Sequence, residues 1–283
     1  MTSFYLVRHA EKSDSVDSGD PALSPRGIRQ ARWTARHLAR SSLDAVYSSP
    51  LVRAHETARH IAQELRLPVH TCPALRERAN WGDDPLQTRE EFVAMWEYAT
   101  HHRDWQPSIG DSSRRAGERL EGLLRVLADA YPDAHLVLVT HGGIIGDLVR
   151  NLFSDADVRR YTSDISTVAH CSITAISHVA GRYYLAAHAT DHHLRDLHLY
   201  LQSPDEVRQG FLRLRGLEIG GDRLVEAGCQ GRPVGRLGVA ARQFQHVANQ
   251  PAALRVALDH DREGPYHDDV LIHSTCWICS GHG

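Results

Sequence analysis

Short apolar runs alternate with stretches of helical period along the chain as far as Ala187. Residues 4–7 are apolar and end at Arg8-His9, the pattern of a buried strand that delivers polar side chains at its carboxyl end. Ser24-Pro25 then supplies an N-cap and a first-turn proline, and Ile28, Ala31, Ala35 and Leu38 recur along one helical face. Ala45-Val46-Tyr47 reads as a second strand. Pro50 is expected to open a helix with the stripe Ala54, Ala58, Ile61, Ala62 and Leu65, ended before Pro68 because proline disfavours helix in the residue ahead of it. Residues 69–72 read as a third strand.

From Arg76 to Gly110 the pattern loosens into an insertion with a helix over 88–100. Asp111-Ser112 caps a longer helix carrying Leu120, Leu123, Leu124 and Leu127, and residues 135–139 are the clearest buried strand of the chain. Thr140-His141-Gly142-Gly143 turns into a helix over 144–152, and two consecutive strands, 172–176 and 183–187, close the regular part. The alternation predicts a three-layer α/β/α domain with a mostly parallel sheet. Past Tyr200 the texture changes: one amphipathic helix starts at Ser203-Pro204, using Val207, Phe211 and Leu214, and glycines then crowd in. The chain therefore divides into a domain over 1–200 and a weakly structured C-terminal extension over 201–283, whose role the pattern leaves open.

Composition narrows the function classes. With 283 residues, 42% hydrophobic and a formal net charge of -3, the chain can build a sizeable core but has no overall basic field for nucleic acid or anionic lipid. No long apolar run and no basic-then-apolar leader appears, so a cytoplasmic, membrane-free protein is expected. The five cysteines are too dispersed for a secreted disulfide framework.

Five segments carry the candidate chemistry in order: LVRHAEK at 6–12, LSPRGIRQA at 23–31, YSSPLVRAHETA at 47–58, Leu75-Arg76-Glu77, and VTHGG at 139–143. Together they resemble the histidine phosphatase superfamily, which also includes the cofactor-dependent phosphoglycerate mutases. The resemblance implies that His9 is a nucleophile that takes phosphate as phosphohistidine, and that His141 is a second pocket histidine touching phosphate. It implies that Glu77 is the general acid, with Asp83 or Asp84 as substitutes if the loop folds differently. Imidazole suits the first role because its neutral form is well populated at neutral pH. Arg8 and Arg53 suit phosphate binding, since a guanidinium fork can take two oxygens at once. Gly142 and Gly143 admit close backbone approach, and the helix after them is expected to turn its free N–H groups toward the same anion.

The expected activity is phosphomonoester hydrolysis on a small-molecule substrate, with no cofactor and no metal. Two alternatives remain. A mutase would retain the phosphate, but Ala10 stands where mutases have glycine, and the tryptophan-asparagine pair expected after their RHGE segment is absent from 13–19. A binding module without catalysis would lack an essential group, whereas His9, Arg8, Arg53, His141 and an acid are all present. His273, Cys276, Cys279 and His282 are zinc-ligand types, but structural zinc sites separate their ligand pairs by a longer loop, and the chain holds 20 histidines. Coincidence is the preferred reading there. Neither the natural substrate nor the oligomeric state can be read from these patterns.

Overall fold

A computed structural model describes residues 1–14, 19–162 and 167–195. The extension expected over 201–283, its helix after Ser203 and the His273, Cys276, Cys279, His282 cluster lie outside the described residues. So does the domain boundary at 200.

Six strands form one sheet: β1 (Thr2–Arg8), β2 (Ala45–Ser48), β3 (Val69–Thr71), β4 (His135–Thr140), β5 (Ile173–Val179) and β6 (Arg182–Thr190), in the order β3-β2-β4-β1-β5-β6. The first four are mutually parallel; β5 runs antiparallel to β1, and β6 to β5. The sheet is thus mostly parallel, with an antiparallel hairpin along one edge. Its two-residue turn, Ala180-Gly181, holds both residues at positive φ, 48° and 77°, the hand that matches strand twist.

Among the described residues the α-helices are α1 (Pro25–Leu38), α2 (Val52–Leu65), α3 (Arg89–His101), α4 (Ser113–Ala130), α5 (Gly142–Leu152) and the short α6 (Asp155–Val158). Helices α1 and α2 pack on each other, as do α4 and α5, one pair for each face of the sheet. On the α1/α2 side, Ala35, Leu38, Ala54, Ala58, Ile61 and Ala62 bury against Val7, Val46, Val137 and Val139. Strand alternation turns Leu136 and Leu138 to the other face, where α4 contributes buried Leu120, Leu124 and Leu127. At about 25 cal/mol per Å² of apolar surface, these faces supply the main driving force for folding.

Caps explain most helix starts. Ser24 accepts from Gly27 N–H at 2.9 Å, Ser112 from Arg115 N–H at 3.2 Å, and Thr88 forms a reciprocal capping box with Glu91. Helix α2 departs from expectation. It begins at Val52 rather than Pro50 and has no cap of its own; the Asp20 carboxylate, from a distant loop, accepts Val52 N–H at 2.9 and 3.0 Å. Strand β1 starts two residues earlier than its apolar run, because Thr2 and Ser3 pair with β5 and Thr2 Oγ1 donates to the Tyr131 carbonyl at 3.0 Å.

Candidate active site

The carboxyl ends of β2, β4 and β1, neighbours in the sheet, deliver Ser49, His141 and His9 side by side. Register makes this so: Arg8 pairs with Thr140, His9 N–H donates to the Thr140 carbonyl at 2.9 Å, and Ser49 N–H donates to the Val139 carbonyl at 2.9 Å. The His9 and His141 ring centroids lie 5.1 Å apart, and both residues are buried.

A hydrogen bond assigns the tautomer of His9. His9 Nδ1 lies 2.8 Å from the carbonyl oxygen of Ala10, which can only accept, so the proton sits on Nδ1 and the lone pair on Nε2. Ser49 Oγ accepts from Leu51 N–H at 3.3 Å and lies within hydrogen-bond distance, 2.8 Å, of His141 Nε2. His141 Nδ1 is a buried atom with no hydrogen-bond partner among the described residues. Burial, then the neighbouring arginines, hold both histidines well below the usual imidazole pKa; for His9, the nearby His141 adds to the effect. Both rings are neutral at pH 7.

Arg53 Nε points at His9 Nε2 from 3.3 Å, while its Nη1 donates to Asp20 at 3.2 Å and its Nη2 to Asn80 Oδ1 at 3.0 Å. Arg8 donates through its Nη groups to the Val168 carbonyl and to His170 Nε2, the latter at 3.0 Å, and its buried Nε has no partner among the described residues. Each terminal nitrogen carries two N–H groups, so these bonds use two of the five donors of Arg8 and three of the five of Arg53. The surrounding loops thus satisfy part of each buried guanidinium.

Glu77, 8% exposed, accepts from Gly143 N–H at 2.9 Å, Ile144 N–H at 2.8 Å and Arg78 N–H at 3.0 Å. The expectation that the start of α5 turns these N–H groups toward a bound anion is thus corrected. Glu77 occupies them, because a buried carboxylate is best satisfied at the positive end of a helix. Gly143 must lack a side chain, since a Cβ there would stand 2.7 Å from Glu77 Oε1 and 2.6 Å from the Trp96 ring. Gly142 instead leaves room for Arg8, whose Cδ and Nε would lie 3.3 Å from its Cβ. Burial pushes the Glu77 carboxyl above the usual range, opposed by its backbone donors and by the charge of Arg78. Of the two substitutes, Asp83 is engaged with Arg76 and Asn80 N–H, and Asp84 accepts Leu86 N–H. Both organise the loop.

The sequence motifs also meet. Ser24 donates to Glu11 at 2.7 Å, Arg26 pairs with Glu11 at 3.2 Å, and Gln30 accepts Glu11 N–H, which locks the segment after His9 onto α1. Asp20, Asn80 and His170 escape sequence reading. The first two sit in loops without periodicity, and His170, 5.4 Å from the His9 ring, precedes β5 with no motif around it. Ser49 lay within the YSSP segment, so a signal for it existed.

A model of the histidine phosphatase superfamily (branch 1) matches residues 4–191. The chain belongs to that superfamily. It is 30% identical over 157 residues to the uncharacterized phosphatase PhoE of Bacillus subtilis, covering 54% of this chain and 78% of that one. It is 28% identical over 188 residues to a probable phosphoglycerate mutase, GpmB, of Cronobacter sakazakii, covering 63% and 86%. A mycobacterial glucosyl-3-phosphoglycerate phosphatase in complex with VO3 superposes with a TM-score of 0.55 at 25% identity, covering 67% of this chain and 99% of that one. Phosphatases stand among both kinds of relative, and the chain is an enzyme of the phosphatase class. Among the described residues, no helix is long and apolar enough to cross a membrane.

Proposed function

We propose that this histidine phosphatase hydrolyses a small phosphomonoester in two steps through a phosphohistidine on His9 Nε2. The observation that carries the reading is the pairing of a nucleophile whose lone pair sits on Nε2 with a neighbouring His141 whose buried Nδ1 makes no hydrogen bond among the described residues.

In the first step Nε2 forms a bond to phosphorus as the ester oxygen leaves, and Glu77 gives that oxygen its proton. Burial raises the Glu77 pKa and so favours the protonated form that this step uses. Arg8 Nε, Arg53 Nε and His141 Nδ1 donate to the phosphoryl oxygens as charge shifts onto them, a stabilisation that is large in a water-poor site. In the second step the Glu77 carboxylate takes a proton from water, the water oxygen attacks phosphorus, and the bond to Nε2 breaks to release inorganic phosphate. Phosphoryl return to substrate, the mutase reaction, is the second reading, favoured by the GpmB likeness. Ala10 in place of the mutase glycine weighs against it. Assembly of every required group in one place weighs against a non-catalytic binding module.

Rapid-quench labelling with a 32P-phosphoester tests the mechanism. Acid-labile label is expected on His9 of the wild type and none in His9→Ala, with the label passing to inorganic phosphate. Label on another residue overturns the assignment of His9, and label returned to a second acceptor alcohol decides for the mutase.

A further inference from the structure

The backbone donors that hold Glu77 are themselves held by a buried ion pair. Arg78, the next residue, donates through Nη1 to both carboxylate oxygens of Asp147 on α5, at 3.1 and 3.2 Å, and the two side chains are 2% and 0% exposed. Asp147 lies one turn beyond Gly143 and Ile144, whose N–H groups Glu77 accepts. Ser113 from α4 and Arg150 from α5 each donate to the same carboxylate at 2.5 Å. On its other side Arg78 donates through Nη2 to the Trp96 carbonyl at 3.1 Å and to Thr100 Oγ1, and its guanidinium stacks 3.8 Å from the Trp96 ring. Helices α3, α4 and α5 therefore converge on a single pair one peptide away from Glu77.

Stability alone does not account for such a pair. Two charges taken out of water gain little net free energy over apolar side chains of equal volume. What a forked, fully bonded pair does supply is direction. A proton donor must be aligned with the leaving oxygen, and a displacement of about 1 Å costs on the order of 100-fold.

We propose that the Arg78–Asp147 pair is a positioning device for the Glu77 carboxyl, fixing both its backbone donors and its direction toward the leaving oxygen. The inference rests on the general-acid reading of Glu77. Asp147 has a second effect, since it offsets the charge that Arg78 places beside Glu77; Arg8 at the end of β1 and Arg53 on α2 also act on Glu77.

The test compares Asp147→Asn, the double variant Arg78→Met/Asp147→Leu and the reference Glu77→Gln in the full chain, each checked for native near-UV circular dichroism. The double variant removes both charges together and keeps the test open if Asp147→Asn, with Arg78 left uncompensated, fails to fold. The rate of phosphohistidine formation is read on glycerol 2-phosphate, whose alkoxide must be protonated, and on 4-nitrophenyl phosphate, whose phenolate leaves without help. Both pair variants are expected to lose about tenfold or more on the first and little on the second. In Asp147→Asn the alkaline limb of the profile should also move to lower pH, because the unopposed Arg78 charge favours ionised Glu77. Equal losses on both substrates, or no loss with an unmoved profile, overturn the inference. If Glu77→Gln itself fails to discriminate between the substrates, the general-acid reading falls and takes the inference with it. If only Glu77→Gln discriminates, the positioning role alone falls.

Discussion

Gly143→Ala should injure catalysis out of proportion to one added methyl group. A Cβ at that position would lie 2.6 Å from Cη2 and Cζ2 of Trp96 and 2.7 Å from Oε1 of Glu77. Comfortable carbon contacts are about 3.5–4.0 Å, so the shortfall is about 1 Å against the tryptophan. Trp96 is not free to retreat, since Arg78 stacks on its ring and holds its carbonyl. The yielding group is Glu77, whose bonds from Gly143 and Ile144 N–H, now 2.9 and 2.8 Å, must stretch or break. Overpacking of this kind costs about 1–3 kcal/mol of stability. A 1 Å misplacement of the acid costs about 100-fold in rate, or about 2.7 kcal/mol of barrier. Gly146 on the same helix is the internal control, because nothing lies within 4 Å of a Cβ there. Gly146→Ala should be stabilising by about 0.5–1 kcal/mol, with turnover unchanged. Thermal melts and kcat on an alkyl phosphate, measured for both variants, check the contrast. If the two alanines behave alike, the packing of Trp96 and Gly143 around Glu77 does not control the acid.

Three further outcomes follow from the same geometry. Glu77→Gln should slow turnover on alkyl phosphates and abolish the alkaline limb of the pH profile, because protonated Glu77 is lost as pH rises through its raised pKa; a profile identical to wild type refutes the assignment. Stability should fall as pH drops below about 6.5, where the unfolded chain binds protons that folded His9, His141 and His170 refuse. The His170 share is lost between the ordinary value and its folded value of about 4. Melts at pH 7.5 and pH 5 read this at about 2–4 °C per kcal/mol, and an equal or higher midpoint at pH 5 contradicts it. Phosphate release should survive EDTA, since Arg8, Arg53 and the two histidines supply the donors; loss in chelator with recovery on adding a divalent ion refutes that.

Apolar spacing alone determined most of the described elements, because each buried face is a local property: Ala31, Ala35 and Leu38 mark the inner side of α1 whatever it packs against. The same spacing put His9 and His141 at strand ends, each closing a buried run, while the roles expected of them came from the resemblance of the five segments. That they are neighbours was a matter of tertiary structure. The register of Arg8 on Thr140 joins segments more than 130 residues apart, and no local period encodes it. The same holds for Asp20, which caps α2 from another loop, and for Glu77, which takes the N-terminus of α5 that the glycines alone advertised for an anion. It holds again for Arg8 and Arg53, whose Nη groups reach Val168, His170, Asp20 and Asn80. Residue type sets how many donors a side chain has, but only the folded surroundings decide which are already used. A buried polar atom takes the nearest partner in space, and distance along the chain does not enter.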